Sequence, residues 1–340
     1  MTPARHPLLV ALMLAMASGA LAAEPDSESR RAALEARIEA LNAELAEAQR
    51  QLAALPEETE APLDPEEEAV REEAAQRRQL EEESTRNPLA ITAHRRNYLL
   101  PISYNRSPSN EAFETVTNGY SPGDVEMKYQ FSVKVNIAED LFGEQGDLHF
   151  GYTQRSWWQA YNGDASSPFR ETNYEPEVFL SFDNAWDVLG WTNVNNRVAF
   201  NHQSNGQSGE LSRSWNRVYL ESLFRRGDWA LAFAPHWRVP ESEDEDDNPD
   251  IHRYMGYGDV TLAKRLEGDA EASLMVRGNP SAGNMGAQVD YSWPLFGNIR
   301  GHVQYYHGYG ESLIDYDHRN QRLSLGFSLN PLFSGSGSAQ

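Results

Sequence analysis

Between Glu126 and Ile137 the chain alternates without a break. Met127, Tyr129, Phe131, Val133, Val135 and Ile137 take one parity; Glu126, Lys128, Gln130, Ser132, Lys134 and Asn136 take the other. Successive side chains of a β-strand point to opposite faces, so this segment predicts a strand with one apolar and one polar face. It is long enough to cross a bilayer, which takes about 9–11 tilted residues. The pattern recurs at Trp229 to Trp237, Ile299 to Tyr305 and Leu323 to Leu329. Turn signals separate the segments: Arg226-Gly227-Asp228, Glu267-Gly268-Asp269 and Phe296-Gly297-Asn298. They alternate with longer polar loops such as Glu241 to Asp250 and Gly310 to Asn320. About twelve strands are predicted, starting near Tyr98, Glu126, Asp147, Asn173, Trp191, Arg213, Asp228, His252, Ala270, Gly283, Asn298 and Gln321. The fold class is therefore all-β, a twelve-stranded antiparallel transmembrane barrel whose even strand number suits a single-chain bacterial barrel. The competing arrangement is a soluble β-sandwich. The long strands, and the Tyr and Trp at segment ends where interface girdles would lie, favour the barrel.

Before about Asn87 the pattern is different. Ala, Glu, Arg, Gln and Leu dominate, and Leu34, Ile38, Leu41, Leu45, Ala48, Leu52 and Leu55 follow alternating steps of four and three. That is a short heptad seam flanked by charge, ended by Pro56. It reads either as one solvated amphipathic helix or as a small periplasmic coiled coil. An acidic, proline-containing linker follows from Glu57 to Glu68, and a second charged helical stretch from about Glu66 to Glu83. Ahead of all this, Arg5 and His6 precede the apolar run Leu8 to Met16, with Ala20-Leu21-Ala22 as a cleavage site. This reads as a secretory signal peptide; the alternative is an uncleaved anchor. The expected organisation is thus a signal peptide at 1–22, a helical heptad segment and linker at 24–86, a barrel at 87–333 and a flexible Gly/Ser tail at 334–340.

Composition narrows the class. The 340 residues carry a formal net charge of −22, which argues against a nucleic-acid partner, since phosphate binding needs clustered Lys and Arg. There is no cysteine, hence no disulfide, thiolate zinc site, cysteine nucleophile or lipidated N-terminal cysteine. The mean hydropathy of −0.65 matches a soluble protein. A transmembrane barrel gives a similar value, because only alternate strand residues face lipid.

The candidate chemistry lies between Asn201 and Arg217. Val194, Val198 and Phe200 share a parity, and His202 and Ser204 continue it; Arg197, Asn201 and Gln203 take the other. In the next strand Asn216 falls with Val218 and Leu220, opposite to Arg217 and Glu221. A His, a Ser and an Asn are therefore expected on the apolar, lipid-touching face. Polar groups there are costly unless they bond one another, which makes them functional candidates. If the two strands pair, the three side chains become neighbours. A serine beside an imidazole that is held by a third polar group is the usual arrangement for activating a hydroxyl. An isolated interfacial histidine that only hydrogen-bonds is the plainer reading of the pattern.

These residues resemble the outer-membrane phospholipase A family of Gram-negative bacteria. The family's signature of His, one residue, Ser-Asn-Gly and then Ser-Arg-Ser-Trp-Asn-Arg stands here as His202, Ser204-Asn205-Gly206 and Ser212 to Arg217. Further matching blocks are Tyr152 to Gln159, Ser166 to Pro176, Asp247 to Tyr257 and Gly308 to Tyr316. The resemblance spans about Asn87 to Phe333. It implies a Ser204 nucleophile, a His202 base and an Asn216 that orients the imidazole, with the backbone N–H of Gly206 serving the oxyanion. It implies calcium-dependent hydrolysis of acyl esters of glycerophospholipids and lysophospholipids, at both sn-1 and sn-2 positions, in the outer membrane. Calcium would bind at a homodimer interface through the carbonyl of Gln207, the hydroxyl of Ser212 and the carbonyl of Ser166 from the partner subunit. Gln154 matches a polar residue at the dimer contact, and the resting form would be the monomer. Gln203 and Gly209 stand where well-known members carry aspartates, so a second calcium site in the monomer loses a ligand. The alternative to the enzyme is an inactive structural barrel or a passive pore, neither of which needs an outward His/Ser pair.

Overall fold

A computed structural model describes residues 91–117, 119–143, 145–242, 244 and 246–330, together with helical residues 31, 35–43, 68 and 70–72. The leader, its cleavage site, most of the heptad seam and the C-terminal tail lie outside the described residues.

Thirteen strands form one sheet that closes on itself. They are β1 (Thr92–Ala93), β2 (Tyr98–Asn105), β3 (Val125–Ala138), β4 (Asp147–Trp158), β5 (Phe169–Val188), β6 (Trp191–Ser204), β7 (Ser214–Arg226), β8 (Trp229–Arg238), β9 (Gly258–Arg265), β10 (Glu271–Asn279), β11 (Asn284–Phe296), β12 (Ile299–Gly308) and β13 (Asn320–Ser328). Each stave pairs antiparallel with its sequence neighbours, β13 pairs with β2, and the β3–β4 pairing completes the ring. β1 and β2 lie in succession along one edge of β3, at Val133–Lys134 and at Val125–Gln130, so the thirteen strands make twelve staves. Between them the chain dips inward: His94, Arg95 and Arg96 are all buried. Asn97 covers the break. Its amide oxygen accepts from the Ser132 backbone N–H at 2.7 Å and its nitrogen donates to the Ser132 carbonyl at 3.0 Å, replacing ladder bonds the missing stave would have made.

The predicted strand starts lie within a few residues of these, with one exception. The segment expected to begin at His252 starts at Gly258, because residues His252–Met255 form a short helix, α2. A second short helix, α1, is Glu111–Val116 in the β2–β3 loop.

The alternation sorts the side chains as expected. In β3, Glu126, Lys128, Gln130, Ser132 and Lys134 are buried in the interior, while Val125, Phe131 and Ile137 are exposed. The interior is closely paired rather than open. Arg322 lies between Glu126 at 2.6 Å and Glu311 at 2.8 Å, and Glu311 also accepts from Lys128 at 3.0 Å. Arg170 bridges Glu126 and Asp315. Buried charges persist only when paired in this way. At the long-loop end, Trp215, Ile251, Met255, Leu313 and Tyr316 form an apolar cluster over this network.

One parity assignment is corrected. Val194 does not share the outward face with Val198 and Phe200; it is 1 % exposed and packs on Val70 and Leu223. A β-bulge between Asn193 and Asn195 shifts the register by one residue, and one residue of slip reverses the side-chain face. Near the same short-turn end, Arg71 pairs with Asp187 at 2.8 Å. In the separate N-terminal unit, residues 35–43 are helical, and the seam residues Ile38 and Leu41 are exposed there.

Candidate active site

β6 and β7 pair residue by residue, so that His202 lies opposite Asn216 and Ser204 opposite Ser214. On β6, Val198 and Phe200 are exposed and His202 and Ser204 half-buried; on β7, Val218 and Leu220 are exposed and Asn216 half-buried. The three candidate residues thus occupy the outward parity, and Arg197, Asn201, Gln203, Arg217 and Glu221 are buried on the inward one. His202 Nδ1 and Asn216 Oδ1 are 2.9 Å apart. An amide oxygen can only accept, so Nδ1 carries the proton and Nε2 is left as the basic nitrogen. Ser204 follows His202 by two residues on the same face of the same strand.

The inward side chains of these strands hold the outward ones. Gln203, between His202 and Ser204, accepts from the Trp215 indole N–H at 2.7 Å and donates to Glu175. The Arg217 guanidinium stacks over the Trp215 ring at 4.3 Å and donates to Asn201 at 2.6 Å. His202 and Asn216 are therefore flanked in sequence by residues with little freedom to move.

The β6–β7 loop is organised by Asn205, a buried residue to which sequence reading gave no role. Its Oδ1 accepts from the backbone N–H of Arg213 at 3.0 Å and of Gln207 at 3.2 Å, and its Nδ2 donates to the Leu211 carbonyl at 2.9 Å. Gly206 has a φ of +67°, and a Cβ there would lie 3.0 Å from the ring of Tyr174, the cross-strand partner of Ser204. Both facts favour glycine at this position.

Ser212 donates to Asp247 Oδ2 at 2.6 Å, and the Ser214 backbone N–H donates to Asn248 Oδ1 at 2.9 Å. Asp247 and Asn248, from a stretch that reads in sequence as a longer polar loop, thus hold the β6–β7 loop. Asn216 Nδ2 donates into the same stretch as well, to Glu241 Oε1 at 3.0 Å. Nothing in the residue pattern marked Glu241, one of several acids in its loop.

Ser166 lies in the β4–β5 loop, apart from Gln207 and Ser212, which share the β6–β7 loop. Ser166 and Ser167 both have left-handed backbone, with φ of 61° and 51°, and the Trp158 indole N–H holds the turn by donating to the Ser167 carbonyl at 2.8 Å. Gln154 lies on the outward face of β4. Its oxygen accepts from the Tyr152 hydroxyl at 3.2 Å and its nitrogen donates to Ser156 Oγ at 3.2 Å; Ser156 and Thr172 hydroxyls are 3.0 Å apart. A polar track therefore interrupts the apolar outer wall on β4 and β5. Among the described residues no cluster of three or more His, Asp and Glu side chains could hold a metal. A cation here would draw on hydroxyl and carbonyl oxygens together with the Asp247 carboxylate.

A profile of the family described as Phospholipase A1 matches residues 74–329. The chain belongs to the phospholipase A1 family. It is 38 % identical over 247 residues to the phospholipase A1 of Klebsiella pneumoniae, covering 73 % of this chain and 85 % of that one. To the phospholipase A1 of Salmonella typhimurium it is 40 % identical over 248 residues, covering 73 % of this chain and 84 % of the relative. Among solved structures, the Salmonella typhi outer membrane phospholipase dimer with bound calcium superposes with a TM-score of 0.68 at 37 % identity, covering 73 % of this chain and 94 % of that one. An Escherichia coli outer membrane phospholipase A in which an active-site asparagine is replaced by alanine gives the same TM-score at 36 % identity, covering 73 % and 94 %. Family, fold and membrane agree: this is an outer-membrane β-barrel whose family-matched region contains every residue of the outward His/Ser/Asn group.

Proposed function

We propose that the protein hydrolyses acyl esters of glycerophospholipids and lysophospholipids in the outer membrane, at sn-1 and sn-2 positions, with Ser204 as nucleophile, His202 as base and Asn216 orienting the imidazole. One observation carries this reading: the 2.9 Å contact of His202 Nδ1 with Asn216 Oδ1, on the lipid-facing side of the strand that bears Ser204. With Nδ1 protonated and held, Nε2 takes the Ser204 proton as Oγ attacks the ester carbonyl. The tetrahedral intermediate collapses to an acyl-enzyme and a lysophospholipid, His202 passing its proton to the leaving oxygen. Water, deprotonated by His202, then releases the fatty acid and restores Ser204. The Gly206 backbone N–H donates to the oxyanion in both steps. That an asparagine is an active-site residue of the Escherichia coli relative supports the role of Asn216.

The Salmonella typhi relative is a dimer with bound calcium. In this chain the Gln207 carbonyl, the Ser212 hydroxyl and the carbonyl of Ser166 of the partner subunit would hold the ion, and such hard oxygen donors suit calcium. Bound there, calcium would supply positive charge to the developing oxyanion. With ligands drawn from two subunits, dimerisation raises activity above that of the resting monomer, and Gln154 lies in the contact. The closely paired interior counts against a passive pore.

The test is fatty-acid release from mixed micelles of phospholipid and detergent by the purified chain, with calcium and with a chelator. Release that depends on calcium, is abolished in Ser204→Ala and rises with the dimer fraction in sedimentation is the expected result. Hydrolysis that persists in Ser204→Ala, or no hydrolysis by the native chain with calcium, sinks the reading.

A further inference from the structure

An asparagine that orients a histidine has a weakness an aspartate lacks. Its two terminal atoms are nearly isosteric but opposite in character, one accepting and one donating. Turned one way, Asn216 accepts from His202 Nδ1–H and leaves Nε2 basic. Turned the other way, it presents N–H to Nδ1 and selects the tautomer whose Nε2 carries the proton and cannot take another. Something must choose between the two, and the outer wall offers only lipid on one side.

The side chain of Glu241, in the β8–β9 loop, meets the far end of this amide. Its Oε1 accepts from Asn216 Nδ2 at 3.0 Å, while Asn216 Oδ1 faces His202 at 2.9 Å. The flipped amide would put an oxygen against a carboxylate, with no proton between them. The carboxylate is itself anchored, because its other oxygen accepts from Arg238 Nη2 at 3.2 Å. Arg238 is held in turn by Asp246 and by the Asn248 carbonyl at 3.1 Å. The Asn216 carbonyl also accepts from the Val239 N–H at 2.8 Å, which brings the start of this loop alongside Asn216.

We infer that Glu241 is a positioning residue of the hydrolytic site, locking the Asn216 amide in the orientation that keeps His202 basic at Nε2. Ser204, His202, Asn216 and Glu241 then form a relay of four, the last supplied by a loop outside the barrel wall. The inference rests on the reading of Ser204, His202 and Asn216 given above.

A double-mutant cycle separates the two. Glu241→Ala and Asn216→Ala are compared singly and together for kcat and KM on a short-chain phospholipid with saturating calcium. Rates are expressed per folded barrel, counted by the mobility of unheated samples in detergent gels. Glu241→Ala should lower kcat about five- to tenfold with KM unchanged, the worth of one hydrogen bond. Glu241→Gln, which keeps an acceptor oxygen, should recover to within about twofold of the native rate, since the hydrogen bond rather than the charge sets the amide. In the Asn216→Ala background, Glu241→Ala should cost nothing more. An equal loss in both backgrounds, an unchanged kcat in Glu241→Ala, or a Glu241→Gln as slow as Glu241→Ala overturns the role of Glu241. A full rate in Asn216→Ala itself instead overturns the underlying triad.

Discussion

The two faces of β6 and β7 carry the same backbone and follow opposite rules. Inward, Arg197, Asn201, Gln203, Arg217 and Glu221 are buried among polar and charged partners drawn from several staves. Outward, Val198, Phe200, Val218 and Leu220 are exposed to the lipid side, and polar residues lie at the two ends of this apolar stretch: Asn196 and Ser222 near the short turns, and His202, Ser204 and Asn216 near the long loops. The inner face resembles the core of a soluble protein written in charges; the outer face is a hydrophobic surface with the His202, Ser204 and Asn216 group at its long-loop end. Because the strand repeat is two residues, reacting and supporting groups are immediate sequence neighbours, and the interior network braces a site that opens onto lipid. Stability and chemistry should therefore separate by face.

The largest expected effect is on the outer face. Ser204→Ala should lower kcat by about 10⁴-fold or more, as loss of a nucleophile does, and leave the unfolding curve in urea unchanged. A parallel loss of stability would erase the distinction between the faces. Inside, the opposite is expected. Arg322→Met leaves Glu126 and Glu311 short of a buried partner and should destabilise the barrel by about 3–5 kcal/mol, read from the same unfolding curves. Activity per folded barrel should stay near the native value; a large fall in kcat would mean that the interior couples to chemistry well beyond the site. The smallest effect sharpens the boundary. Gln203→Leu removes the acceptor of the Trp215 N–H and a donor to Glu175, at a cost of about 1–3 kcal/mol. Because Gln203 stands between His202 and Ser204, kcat should also fall, by a few-fold, and this is the one position of the three where both readouts move. An unchanged kcat would show that the backbone alone holds the site.

Much of this was legible in the residues. The alternation in β3, the turn triplets and the long polar loops are local patterns, and they gave the twelve staves nearly in place. The parity of His202, Ser204 and Asn216 needed only the period of two. Where local pattern failed, a longer-range cause is visible. Val194 departs from the face its parity predicts because a bulge on β6 has no mark in that strand's own sequence. The stave expected from His252 begins only at Gly258, because α2 comes first: Met255 and the N-cap residue Ile251 are buried in the cluster with Trp215 and Leu313. The inward dip at His94 to Arg96 depends on Glu177 and Glu271, which lie far along the chain.

The sequence by itself determined which residues face lipid wherever no bulge breaks the strand, roughly how many staves there are, and which three side chains share the outer wall, because these follow from a repeat measured along one strand. Tertiary structure alone decided that His202 lies opposite Asn216, that Asn205 ties the following loop together, and that one acid among many, Glu241, reaches the Asn216 amide. Those depend on strand register and on how loops from different hairpins meet, and distances between remote segments are set only when the barrel closes.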